Sequence, residues 1–204
     1  MDEARRTAAT YEAHADAYTA KYRGGSVAAR FGDAFLEDLP DRDGSDDRPV
    51  RVLDAGCGPG SDAAVFADRG LDVVGLDVTQ SFLRAAASDV PGAFCRGDLR
   101  RLPFAADSFD GVWCCAALHH VPKADAESAV SEFARVLRPD GALFCSVKRG
   151  GDAGFEPDDD HGGGDDRYFA YYRGGEFRDL LAGAGLAADV RVADRWVSAL
   201  ATPA

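Results

Sequence analysis

The chain has 204 residues, 46% of them hydrophobic, enough for one domain with a single buried core. Its net charge of −12 argues against, without excluding, nucleic-acid binding, which leans on Lys and Arg neutralising phosphates. No apolar run reaches the roughly eighteen residues of a membrane span, and the polar start Met1-Asp2-Glu3-Ala4-Arg5-Arg6 lacks the apolar core of a signal peptide.

Residues 3–39 read as helical. Tyr11, Ala15, Tyr18 and Tyr22 share one face, and Phe31, Phe35 and Leu39 continue a second segment after Gly24-Gly25. The acidic stretch 41–47 reads as a solvated loop. Strands and helices then alternate: a buried strand Val50–Asp54, a helix Asp62–Arg69 stopped by Gly70, a strand Asp72–Asp77, a helix Ser81–Ser88, and a short strand Ala93–Arg96. A strand Phe109–Ala116, a helix Ala124–Leu137 and a strand Ala142–Val147 follow. Gly150–Asp166 reads as a mobile Gly/Asp-rich loop. Arg167–Tyr172, a helix Gly175–Ala184 and a strand pair at Ala188–Val192 and Trp196–Ala201 are expected to finish the sheet. This rhythm predicts an α/β fold, a doubly wound and mostly parallel sheet. Within it, 1–40 is a helical lid, 50–148 a cofactor-binding core, 150–166 the acidic loop and 167–204 the C-terminal strands and helix.

Chemistry concentrates where the strands end, the edge at which such sheets bind ligands. Val52-Leu53-Asp54-Ala55-Gly56-Cys57-Gly58-Pro59-Gly60 closes a strand with an acid and three alternating glycines. Glycine admits left-handed backbone and close approach of a ligand. A carboxylate ahead of the glycines repels a pyrophosphate, so an ammonium- and sulfonium-bearing ligand such as S-adenosylmethionine suits Asp54 better than NAD does. Asp54 alternatively caps the glycine turn. Val74-Gly75-Leu76-Asp77 ends in an acid placed to accept ribose hydroxyls, and Arg96-Gly97-Asp98-Leu99 offers Asp98 to an adenine amino group and Leu99 to its ring. Asp107-Ser108-Phe109-Asp110-Gly111-Val112-Trp113 leads to Cys115-Ala116-Ala117-Leu118-His119-His120 at the same edge.

Taken in order, these motifs, with Arg135-Val136-Leu137-Arg138-Pro139-Asp140-Gly141 after them, resemble those of class I S-adenosylmethionine-dependent methyltransferases, and more narrowly the type 11 methyltransferase domains. The resemblance spans roughly Tyr11 to Ala201. It implies a Rossmann-like seven-stranded sheet whose last strand, the Trp196 segment, runs antiparallel, with helices on both faces. It implies S-adenosylmethionine as cofactor, with Gly56, Gly58 and Gly60 around the methionine portion, Asp77 at the ribose, and Cys57 and Val78 among the cofactor-binding residues. Asp98 and Leu99 fall at the adenine, Cys115, Ala116 and Leu118 along the open side, and Tyr18 and Tyr22 in a lid. The acceptor is expected to be a small molecule. A modified wobble uridine of tRNA, or a role as a non-catalytic partner subunit, is the alternative.

His119 and His120 are candidate general bases, since imidazole titrates near neutrality; packing roles are the alternative. Asp158-Asp159-Asp160-His161 reads as a solvated loop in so Asp-rich a chain, so no metal site is expected. Tyr168, Phe169, Tyr171 and Tyr172 alternate like a strand with one buried face. The five cysteines, at 57, 95, 114, 115 and 145, form no C-x-x-C pair and read as buried free thiols of a reducing cytoplasm. Asp supplies 28 of 35 acidic residues, and Lys occurs only at positions 21, 123 and 148, a bias similar to that of salt-accumulating halophiles.

Overall fold

The computed structural model describes residues 2–22, 24–40, 48–157 and 166–204. The N-terminal region forms three helices, α1 (Glu3–Ala13), α2 (Ala15–Tyr22) and α3 (Ala28–Glu37). Asp2 opens α1 by accepting the Arg5 N–H at 2.8 Å, satisfying one of the unpaired amides of a helix start. α3 docks through Ala28, Gly32 and Phe35. Phe31 falls at the margin of that stripe and is 64% exposed, so the apolar face is narrower than the sequence implies.

The alternation then follows closely: β1 (Arg51–Ala55), α4 (Ser61–Asp68), β2 (Asp72–Asp77), α5 (Gln80–Asp89), β3 (Ala93–Arg96) and β4 (Phe109–Cys115). After a 3₁₀ turn at Leu118–His120 come α6 (Lys123–Val136) and β5 (Leu137–Lys148). The tail holds β6 (Ala153–Pro157), β7 (Asp166–Ala170), α7 (Gly174–Gly183), β8 (Leu186–Val192) and β9 (Trp196–Pro203). Seven strands form one sheet in the order β3-β2-β1-β4-β5-β9-β8. β9 runs antiparallel to both of its neighbours, and the five strands from β3 to β5 pair in parallel. The Rossmann-like sheet expected from the sequence is therefore the observed one.

Alternate residues along each strand feed two cores. On one face Leu53, Val112, Leu143 and Cys145 meet Phe133 of α6 and Phe177 of α7. On the other, Val52, Trp113 and Phe144 meet Phe35 of α3 and Phe66 of α4. Trp113 stacks on Phe144 at 3.9 Å and takes the edges of Phe35 and Phe66 at 5.3 Å each. Its indole N–H donates to Asp62 Oδ2 at 2.8 Å, while Oδ1 of the same carboxylate accepts from Ser26 Oγ and the amides of Val27 and Ala28. One carboxylate in α4 thus starts α3 and satisfies the buried tryptophan.

Three boundaries differ from expectation. β5 begins at Leu137 rather than Ala142, because Leu137 pairs with Phe109 and a register shift before Gly111 absorbs the intervening turn. Buried Asp110 anchors that turn, pairing with Arg138 at 2.6 Å and accepting the Arg51 N–H at 2.7 Å. Ala153–Pro157, expected within a loop, is a strand pairing antiparallel with β7 in a ribbon of its own. Arg167–Ala170 therefore joins β6 and not the main sheet. β6 has one half-covered face and rests its Phe155 ring under the Arg6 guanidinium at 4.1 Å. The acidic stretches 41–47 and 158–165, including Asp158–His161, lie outside the described residues. All five cysteines are free thiols. Among the described residues no helix is long and apolar enough to cross a membrane, and no cluster of metal-ligating side chains is present.

Candidate functional site

Parallel pairing brings the carboxyl ends of β1, β2, β3 and β4 to one edge, and a cavity of about 710 Å³ opens there. That volume lies within the range of small-molecule and cofactor sites, about 300–1,000 Å³. The sheet edge supplies one wall and α1, from Ala4 to Glu12, supplies the opposite one. Glu12 pins α1 to the start of α5, its Oε1 accepting from Ser81 Oγ at 2.6 Å.

The glycine loop divides into two jobs. Gly56 and Gly58 line the cavity, with φ of 83° and 52°. A Cβ at Gly56 would sit 2.3 Å from the Ala117 Cβ, so the loop packs backbone-close against the turn after β4. Gly60 (φ 87°) faces Ala86 of α5, where a Cβ would meet its methyl at 2.9 Å, and it serves a helix crossing. Cys57 is buried behind the loop, and burial pushes its thiol well above the ordinary range.

The two strand-end acids also differ. Asp54 is buried and does not reach the cavity wall, and its Oδ2 has no hydrogen-bond partner among the described residues. Burial first, then the nearby Asp62 charge, pushes its pKa well above the carboxylate range, which favours the neutral acid. Asp77 lines the cavity, accepting the Gly58 N–H at 2.9 Å on Oδ2 and the Thr79 N–H at 2.7 Å on Oδ1. Each oxygen keeps acceptor capacity, and burial raises the pKa against the lowering by those amides. The open space at Gly58, where an added Cβ would meet nothing within 4 Å, and the Asp77 oxygens fit the sugar and methionine ends of a nucleoside sulfonium.

Val78, Asp98 and Leu99 lie on the same wall. Asp98 carries a partner the sequence does not announce: Arg100 clamps its carboxylate, at 2.7 Å from Nη2, and also reaches Asp125 and Asp2. This clamp ties the α1 N-cap to the sheet. Cys115 and Ala116 line the cavity, Ala116 in a left-handed conformation (φ 54°) rare for alanine and fixed by Ser146, which accepts its N–H. Leu118 is buried in the core. Tyr18 lines the cavity, whereas Tyr22 stands behind it, ring to ring at 4.5 Å.

The adjacent histidines separate. His119 is 2% exposed and absent from the cavity wall, and desolvation, then the charges of His120, Lys148 and Arg167, holds its pKa well below the imidazole range. His120 lines the cavity. Its Nδ1 lies 2.8 Å from the Tyr168 carbonyl, which only accepts, so Nδ1 bears a hydrogen, and its Nε2 is hydrogen-bonded to Tyr11 Oη at 2.9 Å. Tyr11 and Arg167, whose Nη1 donates to Tyr11 Oη at 2.8 Å, escaped the sequence reading as site residues. The spacing of Tyr11 and Tyr18 marks a shared helical face, but nothing local links either to a residue 156 positions on.

A doubly wound sheet with a glycine loop and an acid-lined cavity at its strand ends defines a Rossmann-type domain for a nucleotide-like cofactor. Residues 53–145 match the family described as "Methyltransferase domain", type 11. The malonyl-[acyl-carrier protein] O-methyltransferase of Pseudescherichia vulneris is 33% identical over 147 residues, 72% of this chain and 52% of that protein. The demethylmenaquinone methyltransferase of Beutenbergia cavernae is 43% identical over 97 residues, 47% of this chain and 40% of that protein. The chain thus spans about half the length of the curated relatives it matches. The 1,6-didemethyltoxoflavin-N1-methyltransferase of Burkholderia thailandensis, solved with its acceptor and S-adenosylhomocysteine, superposes with a TM-score of 0.63 at 21% identity. That superposition covers 96% of this chain and 88% of the other.

Proposed function

We infer that this chain transfers a methyl group from S-adenosylmethionine to a small-molecule acceptor. The observation that carries the reading is the convergence of Gly56, Gly58 and Asp77 on one cavity beside a methyltransferase-family core. In this reading Gly56 and Gly58 take the methionine portion and Asp77 accepts from the ribose hydroxyls. Val78 and Leu99 pack on the adenine, Asp98 accepts from its amino group through the acceptor capacity Arg100 leaves, and Cys115, Ala116 and Tyr18 enclose the reacting end. When bound, the cofactor supplies an electrophilic methyl on a sulfonium. The chain's own task is to align an acceptor with that methyl and keep water out, which is worth on the order of 7–11 kcal/mol. The relatives are named for malonyl-[acyl-carrier protein], demethylmenaquinone and didemethyltoxoflavin, none of them nucleic acid. The net charge of −12 supports the same choice.

Titration with S-adenosylhomocysteine and with NAD tests the cofactor. The expected result is saturable binding of the first, raising the unfolding free energy by about 2.7 kcal/mol at a hundredfold excess over Kd. Binding of NAD without S-adenosylhomocysteine overturns the reading.

A further inference from the structure

The seven-stranded sheet ends in β8, whose outer edge pairs with no strand among the described residues. The ladder to β9 fixes which backbone groups that edge presents. Ala193 donates its N–H to the Trp196 carbonyl at 2.8 Å, and Ala204 donates to the Gly185 carbonyl at 2.9 Å. In the register running from Leu186↔Pro203 to Val192↔Val197, hydrogen-bonded pairs recur at every second residue, so Ala187, Asp189 and Arg191 are the residues bonded to β9. The N–H and C=O groups of Ala188, Val190 and Val192 therefore point outward, where no described residue bonds them. Val192 itself is 53% exposed. Asp189 and Arg191 project from the other face of the strand, are 67% and 71% exposed, and meet each other at 3.3 Å. With Glu37 and Asp38 at the end of α3 they line a groove of about 420 Å³, in which three carboxylates stand against one guanidinium.

We propose that this edge is the docking surface for a second copy of the chain, β8 pairing antiparallel with the β8 of its partner about a two-fold axis at Val190. Outward-pointing residues bond only to outward-pointing residues, so the open registers differ by steps of two. Centred on Val190, each Ala188 meets the other copy's Val192 and each Asp189 meets the other copy's Arg191, twice over by symmetry. Both charged pairs fall at non-hydrogen-bonded positions, where Cα atoms lie about 4.5 Å apart and side chains interact most. Centred on Asp189 or on Arg191, the same strand sets that charge against itself. Centred on Ala188, it sets Asp189 against Ala187. The charges that guard a lone edge against casual pairing thus select one partner and one register. Glu37 and Asp38 add to the attraction for the guanidinium that the other copy brings to the groove. About six backbone hydrogen bonds close across the axis. Because β8 and β5 are each antiparallel to β9, β8 runs with the parallel strands, and an antiparallel junction turns the two cofactor cavities to opposite edges of the joined sheet. Neither cavity is covered.

Sedimentation velocity of the full chain tests the interface. The buffer holds about 1 M potassium chloride, where a Debye length of about 3 Å removes the long-range repulsion between copies of net charge −12. A dimer of twice the chain's 21.6 kDa is expected at about 100 μM chain. Asp189→Arg and Arg191→Asp each turn both cross-strand pairs into like-charge pairs, and each alone raises the dimerisation Kd at least about tenfold. Mixed in equal amounts, the two variants again oppose unlike charges at both pairs, and the Kd returns to within about threefold of the parent's. Both side chains are largely exposed, so the thermal midpoint of each variant stays within about 2 °C of the parent's. Their Kd for S-adenosylhomocysteine stays within about twofold, since the cavity lies at a distant part of the sheet. A parent that remains monomeric, variants that dimerise as the parent does, or a mixture that remains monomeric overturns the proposal and leaves the methyl-transfer reading as it stands.

Discussion

Replacing Asp77 by Asn keeps the side chain's shape and halves its acceptor capacity. The carboxylate takes the Gly58 amide on one oxygen at 2.9 Å and the Thr79 amide on the other at 2.7 Å. An Asn amide accepts on one side only, so an N–H group is turned against either Gly58 or Thr79. Leaving a buried amide unsatisfied costs about 1–3 kcal/mol, and the charge-assisted bonds to ribose hydroxyls lost with the carboxylate are worth about 1.5–3 kcal/mol. The second figure falls on cofactor binding, roughly a ten- to hundredfold rise in Kd. The first is shared between stability and the conformation of the glycine loop. Calorimetric titration of S-adenosylhomocysteine into the parent, Asp77→Asn and Asp77→Ala, with thermal midpoints as controls, separates the two. Because burial raises the Asp77 pKa, affinity in the parent declines on acidification at a higher pH than an ordinary carboxylate would set, and this decline is absent from both variants. A Kd within twofold of the parent in both variants refutes the assignment.

Asp62→Ala removes the cap on α3 and leaves the Trp113 indole N–H unsatisfied, about 2–4 kcal/mol together. At roughly 2–4 °C per kcal/mol for a chain of this size the thermal midpoint falls by about 4–16 °C; a fall under about 2 °C contradicts the account. Gly56→Ala forces alanine to φ 83° and drives a methyl to 2.3 Å from Ala117, so binding of S-adenosylhomocysteine drops at least about tenfold; unchanged affinity in calorimetry argues against the close approach. Asp54→Asn tests burial through pH. The folded pKa lies above the unfolded value of about 3.9, so on raising the pH the unfolded chain loses this proton first and stability declines, by up to about 1.4 kcal/mol per unit, until the folded pKa is passed. Asn abolishes that decline, and urea midpoints at pH 4.5 and 7 show the variant's advantage growing with pH; a constant difference refutes it.

The strands were legible because they are short apolar runs ended by acids and glycines, and Val52–Gly60 alone announces the binding edge. What escaped the sequence depends on distance along the chain. Asp62 reads as a helix-start acid, yet its partners sit 34 to 51 residues away. Arg167 reads as the start of a strand, and its phenol partner is 156 residues earlier. His119 and His120 are chemically identical neighbours, and only the 3₁₀ turn decides which one faces the core. β6 was invisible because Ala153–Pro157 buries no side chain fully and owes its form to pairing with β7. The same limit applied to Asp54 and Asp77. Both end apolar strands, and only Asp77 lines the cavity, where it accepts the Gly58 N–H of the loop before α4.

The only buried residues of α1 are Thr7 and Thr10. Thr7 Oγ1 accepts the Tyr168 N–H at 2.9 Å, Thr10 Oγ1 donates to the Asp166 carbonyl at 3.2 Å, and Asp2 and Glu12 fasten its start and its last turns. The roof of the cavity is thus held by polar bonds and by the ring contacts of Tyr11 with Tyr18 and Phe82, and lifting it exposes far less apolar area than opening the sheet. A motion of that kind has a small heat-capacity change and a shallow dependence on urea, unlike unfolding of the sheet. Amide exchange in α1 is therefore expected to stay nearly flat in urea concentrations that steepen exchange in α6. Access to the cavity and survival of the core then answer to different solvents: salt and pH set the first, and denaturant and heat set the second.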